Sequence, residues 1–74
     1  MSTDYDLTKE EKAEVVLSHL KNLSTLKYKL EISLLEENSL SQPSQDIIDQ
    51  ISNNITNVDL KITALENKLT EVLG

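Results

Sequence analysis

The 74-residue sequence contains no cysteine, tryptophan or phenylalanine, and it has one proline and one glycine. Without cysteine, the chain can form neither disulfides nor cysteine-based metal and catalytic sites. A compact β or α/β domain needs turn residues and bulky core side chains, and this sequence has few of either. These absences indicate an all-α protein.

Positive charge is also scarce, because 13 acidic residues outnumber 7 basic ones and every basic residue is lysine. The net charge of −6 disfavours direct binding to nucleic acid, which requires a basic face, and to anionic membranes. No apolar run approaches the roughly 20 residues of a membrane span, so membrane insertion is not expected. The acidic N-terminal segment lacks the apolar core of a secretory signal. We therefore expect an intracellular protein, cytoplasmic or nuclear.

Few residues could support catalysis. His19 is the only histidine, and there is no second histidine or cysteine to complete a metal site or a nucleophilic pair. Asp46 and Asp49 lie one turn apart, where they are expected to favour the positive end of a helix dipole rather than bind a metal. The sequence therefore predicts no enzymatic activity, no cofactor, no metal site and no small-molecule substrate.

The second half of the chain carries a strict helical pattern of apolar residues. The stretch SNNITNVDLKI, residues 52–62, favours strands and turns by propensity. Its apolar residues nevertheless follow a 3-4 spacing, which only a helix places on one face. This seam comprises Ile48, Ile51, Ile55, Val58, Ile62, Leu65, Leu69 and Val72. We predict a helix over about residues 43–73, stabilised by packing rather than by propensity.

The first half shows a similar seam: Ala13, Val16, Leu20, Leu23, Lys27, Leu30, Leu34 and Glu37. Thr8 and Glu11 have the spacing of a capping box, so a helix is predicted over about residues 8–37. Lys27 interrupts the seam near its centre. A polar seam residue can fix register and oligomeric state, or its stem can lie along the seam while its ammonium reaches water.

A short polar connection, about residues 38–42, joins the two predicted helices. Pro43 is expected in the first turn of the second helix, with Ser41 or Gln42 as its cap. The fold is then an antiparallel helical hairpin of coiled-coil type, one domain over residues 8–74 preceded by a flexible acidic arm, residues 1–7. In this register Lys27 would lie near Ile55. One continuous helical rod is the alternative, and Pro43 argues against it.

The hairpin is expected to assemble into a bundle of four or more helices. Two helices in contact bury a seam only partly, and the first helix has further apolar residues outside it. β-branched residues occupy both kinds of seam position in the second helix, which disfavours a two-stranded coil. The residues expected to bind partners are Leu17, Leu26, Tyr28, Ile32 and Leu35.

These patterns predict a non-enzymatic protein–protein interaction module, a small coiled-coil subunit or adaptor of a larger assembly. Its expected partners are other copies of itself or other coiled-coil proteins. The alternative is a small helical-hairpin regulator or inhibitor that binds a larger enzyme or signalling protein.

Overall fold

The structure, a computed structural model, describes residues 6–74 and contains two helices. These are α1 (Lys9–Asn38) and α2 (Gln45–Leu73), and they pack against each other. No strand occurs among the described residues. The all-α class and the two-helix hairpin are thus confirmed. Neither helix has a stretch of sufficient length and apolarity to cross a membrane. Of the predicted N-terminal arm, residues 1–5 lie outside the described part of the chain.

The start of α1 is fixed by the predicted capping box. The Thr8 backbone N–H donates to Glu11 Oε1 at 2.8 Å, and the Glu11 N–H donates to Thr8 Oγ1 at 3.1 Å. Hydrogen bonding from the Thr8 backbone, and then from its side chain, holds the pKa of Glu11 below its ordinary value. Two of the unpaired N–H groups at the helix start are therefore bonded.

The end of α1 uses a serine cap rather than a glycine. The Ser39 N–H donates to the carbonyl of Leu35 at 3.1 Å, and its hydroxyl donates to the carbonyl of Glu36 at 2.7 Å. No described residue has a positive φ, so the chain leaves the helix without a left-handed position. The connection between the helices covers residues 39–44.

α2 begins two residues later than the sequence predicts, and its cap is Ser44 rather than Ser41 or Gln42. Ser44 Oγ accepts a hydrogen bond from the Ile47 N–H at 3.3 Å. The Ser44 N–H in turn donates to Glu37 Oε2 on α1 at 2.8 Å. The carboxylate of α1 therefore selects the cap, and Pro43 lies before the helix instead of in its first turn.

The two seams lie along the line where the helices meet. Ala13, Val16 and Val58 are buried, with 7%, 9% and 5% of their surface exposed. The other thirteen seam positions are half-buried. Asn, Thr and Asp residues of the 52–62 stretch lie mostly outside the seam, and the Thr56 hydroxyl donates to the Ser52 carbonyl at 3.2 Å. Packing therefore overrides the local preference of this stretch for strand and turn.

A few contacts show which residues of the two helices lie close together. Lys27 Nζ lies 2.7 Å from Asp59 Oδ1, about one turn beyond the expected neighbour Ile55. Leu30 and Val58 line one groove between the helices, and Glu37 meets Ser44 at the loop. An extended lysine side chain spans about one helical turn, so the Lys27–Asp59 contact is compatible with Lys27 lying level with Ile55, and the register stays a prediction.

Candidate interaction surfaces

One side of α1 carries an apolar stripe, defined here as Leu17, Tyr28, Ile32 and Leu35. Their exposed fractions are 51%, 65%, 38% and 66%. All four lie on one side of α1 and outside the seam, so α2 does not cover them. Tyr28, Ile32 and Leu35 fall within about two turns, and Leu17 lies about three turns before Tyr28. Exposed apolar residues gathered in this way typically mark an interaction surface, whereas scattered ones do not.

The fifth predicted contact residue, Leu26, lies away from the stripe and is 44% exposed. It lines a mainly apolar groove between the helices together with Leu23, Ala64 and Leu65, and the edges of this groove are His19, Asn22 and Lys61. Ala64 has a small side chain, which leaves space beside the two leucines. We refer to this feature as the groove.

The groove continues in both directions along the same side of the hairpin. Towards the loop, Leu26 and Lys61 are joined by Leu30, Val58 and two asparagines of α2. Towards the other end, a neighbouring depression is lined by Lys12, Val16, Lys68 and Val72, with Lys9 and Glu71. An extended ligand such as a helix fits a surface of this shape better than a small molecule.

Within residues 6–74, Lys27 forms the one ion pair that joins the two helices, through the 2.7 Å contact with Asp59. The hydrogen bond and the charge of Asp59 raise the pKa of Lys27, with a smaller contribution from Glu31. Both side chains are partly exposed, 36% and 49%, so water screens the pair and its contribution to stability is small. The ammonium therefore lies at the edge of the seam rather than within it.

Sequence reasoning missed three contributors to this geometry. Asp59 was not identified as the partner of Lys27, although it directly follows the seam residue Val58 and so lies at the seam's edge. Glu37 is a polar position in the seam pattern, and its carboxylate accepts a hydrogen bond from the Ser44 N–H at the start of α2. The groove depends on residues far apart in sequence, such as Leu23 and Leu65, and only the register brings them together.

The arrangement provides apolar surfaces with charged edges. His19, the candidate catalytic residue considered from the sequence, lies at the rim of the groove beside Asn22. No family model matches the chain, and neither the curated proteins nor the solved structures include a match to it. Its function is therefore argued from these surfaces.

Proposed function

We propose that this chain is a non-enzymatic protein–protein interaction module, a small coiled-coil subunit or adaptor that assembles through helix–helix packing into a bundle of four or more helices. The observation that carries the proposal is the contrast between core and surface. Only Ala13, Val16 and Val58 are buried among the described residues, while five apolar residues of α1 predicted as contacts are at least 38% exposed.

The energetic argument starts from that small core. Complete burial of a Leu, Ile or aromatic side chain stabilises by about 1.5–3 kcal/mol. Two helices bury most of the seam residues only in part, so much of that stabilisation remains unused in a single hairpin. Small domains with this little core commonly depend on oligomerisation.

The exposed contact residues can supply the missing burial. Each of the five is about half exposed, so covering it contributes on the order of 1 kcal/mol. Two copies that both cover their contact residues gain roughly 10 kcal/mol, which is comparable to the approximately 4–15 kcal/mol cost of association. Covering these five residues therefore about offsets the cost of association, and a tight complex requires that the rest of the groove be covered as well.

The composition of the seam supports the same arrangement. Ile and Val occupy both kinds of seam position in α2, which disfavours two strands relative to three or four. The absence of cysteine fits an assembly inside the cell. The partners are other copies of the chain or other coiled-coil proteins.

Sedimentation equilibrium, with circular dichroism at the same concentrations, tests this proposal. We expect a helical oligomer whose association is weakened by Leu35→Gln. Leu60→Gln is the matched control, because Leu60 on α2 is 65% exposed and Leu35 is 66% exposed, but Leu60 lies outside the stripe. A stable, fully helical monomer at every concentration would refute self-assembly and would favour a regulator that binds a larger protein.

A further inference from the structure

The charged residues at the edges of the seam are sorted by sign. We call a residue leading-flank when it directly precedes one of these seam residues: Ala13, Leu20, Lys27, Leu34, Ile48, Ile55, Ile62 and Leu69. The leading flanks carry Lys12, His19, Lys61 and Lys68 and no acid. We call a residue trailing-flank when it directly follows one of these seam residues: Val16, Leu23, Leu30, Glu37, Ile51, Val58, Leu65 and Val72. The trailing flanks carry Glu31, Asp59 and Glu66 and no lysine.

Antiparallel packing places flanks of the same kind on the same side of the hairpin. The groove shows this directly, because His19 of α1 and Lys61 of α2 line it together. Lys9, Lys12, Lys68 and Glu71 line its continuation; Glu71 pairs with Lys68, so Lys9 and Lys12 supply the excess positive charge there. The groove side is therefore basic, although the chain has a net charge of −6.

The opposite side of the hairpin holds the trailing flanks and the stripe. Leu17 is itself a trailing-flank residue, and Tyr28 and Leu35 lie next to this flank on α1. The side that carries the stripe is thus edged by Glu31, Asp59 and Glu66; Asp59 is paired with Lys27, so the excess negative charge comes from Glu31 and Glu66. Each side of the hairpin has an apolar centre. The flanking charges are positive on the groove side and negative on the stripe side.

These charges are not arranged to stabilise the hairpin itself. Between the helices, the structure forms the Lys27–Asp59 pair, and Lys68 pairs with Glu71 within α2. Lys12, Lys61 and Glu66 take part in no ion pair among the described residues. Flanks of like charge on one side of the hairpin repel each other and so weaken a single hairpin. A partner of opposite charge on each side would offset this repulsion.

From this geometry we propose that the partner is a second copy of the chain, whose stripe side packs into the groove side of the first. Two copies that met through their groove sides would place lysines against lysines, and two that met through their stripe sides would place acids against acids. Packing of unlike sides matches both the charges and the apolar centres. The small side chain of Ala64 leaves room in the groove for a protruding stripe residue such as Tyr28.

This contact is heterologous, because the two copies use different surfaces. Each added copy leaves one groove side and one stripe side uncovered, so the stack grows until it closes into a ring or continues as a filament. The inference rests on the proposed function and specifies how the copies meet. It also predicts that association weakens in high salt, since the flanking charges are exposed.

A charge swap tests the inference by sedimentation velocity, with circular dichroism to verify that each variant remains helical. The groove variant carries Lys12→Glu and Lys61→Glu, and the stripe variant carries Glu31→Lys and Glu66→Lys. None of the four residues is a member of an ion pair that the structure forms, and Glu31 is the one whose charge acts on Lys27. We expect each variant alone to associate at least about tenfold more weakly than the wild type at low salt. An equimolar mixture should associate again, since the reversed groove side then meets the reversed stripe side.

For the stripe variant, an argument from net charge alone predicts stronger association, the opposite of the result expected here. The stripe variant changes the net charge from −6 to −2, so general repulsion between copies decreases and association would increase. A variant with Asn53→Glu and Asn67→Glu on the outer face of α2 adds negative charge away from both sides and should associate like the wild type.

The outcomes separate the two proposals. If the wild type associates and neither charge variant weakens it, or if the mixture fails to recover, the unlike-side contact is wrong and self-assembly stands. If the wild type remains monomeric, both the contact between copies and self-assembly are refuted. The basic groove would then be a surface for an acidic helix of another protein.

Discussion

Val58 is the most buried residue of the hairpin, with 5% of its surface exposed, and its truncation measures how much the seam contributes. Val58→Ala removes the equivalent of two methylene groups, which costs about 1.6 kcal/mol in lost burial and up to roughly 2.5 kcal/mol with a residual cavity. Alanine has the higher helix propensity and returns about 0.5 kcal/mol. The expected net loss in the free energy of unfolding is therefore about 1–2 kcal/mol.

Leu60→Ala is the control, because Leu60 lies two residues along the same helix and is 65% exposed. Its expected change is within about 0.5 kcal/mol of zero. Urea unfolding followed by circular dichroism measures both variants, at one fixed protein concentration since association contributes to stability. A loss for Leu60→Ala that equals or exceeds the loss for Val58→Ala would refute the assignment of the seam as the core.

Two further predictions concern the loop and the interhelical ion pair. Ser44→Ala should lower the free energy of unfolding by about 0.5–2 kcal/mol because it removes the cap of α2. Ser41→Ala, the control, should leave urea unfolding unchanged. Equal effects of the two substitutions would contradict the observed start of α2. Because Asp59 raises the pKa of Lys27, the stabilisation from this pair is complete below the ordinary lysine pKa of 10.5 and is lost as the pH rises through the higher folded-state value. In alkaline thermal melts, Asp59→Asn should therefore lose less stability than the wild type over that pH range, and identical profiles would contradict a contribution from the pair.

Much of the fold follows from spacing alone. All sixteen seam residues read from the 3-4 pattern are buried or half-buried in the structure, because a helix places such residues on one face whatever their propensities. The capping box at Thr8 also follows from the sequence, because its residues lie within one turn of each other. The exposure of the stripe also follows from helical periodicity, because its residues lie outside the seam.

The contacts between the helices could not be derived in this way. The cap of α2 depends on Glu37, seven residues before Ser44, and the sequence offered Ser41 and Gln42 as alternatives. Which side chains of α1 reach which side chains of α2 depends on where α2 starts. Only the structure shows that Lys27 reaches Asp59 and that Leu23 and Leu65 line the same groove.

The sequence by itself therefore determined the elements, their buried faces and the sign of charge on each flank, because these are periodic and local. Only the tertiary structure decided where the groove lies and what pairs with Lys27. Those features depend on the loop and on the relative position of two long helices, and side-chain spacing within one helix contains no information about the position of the other.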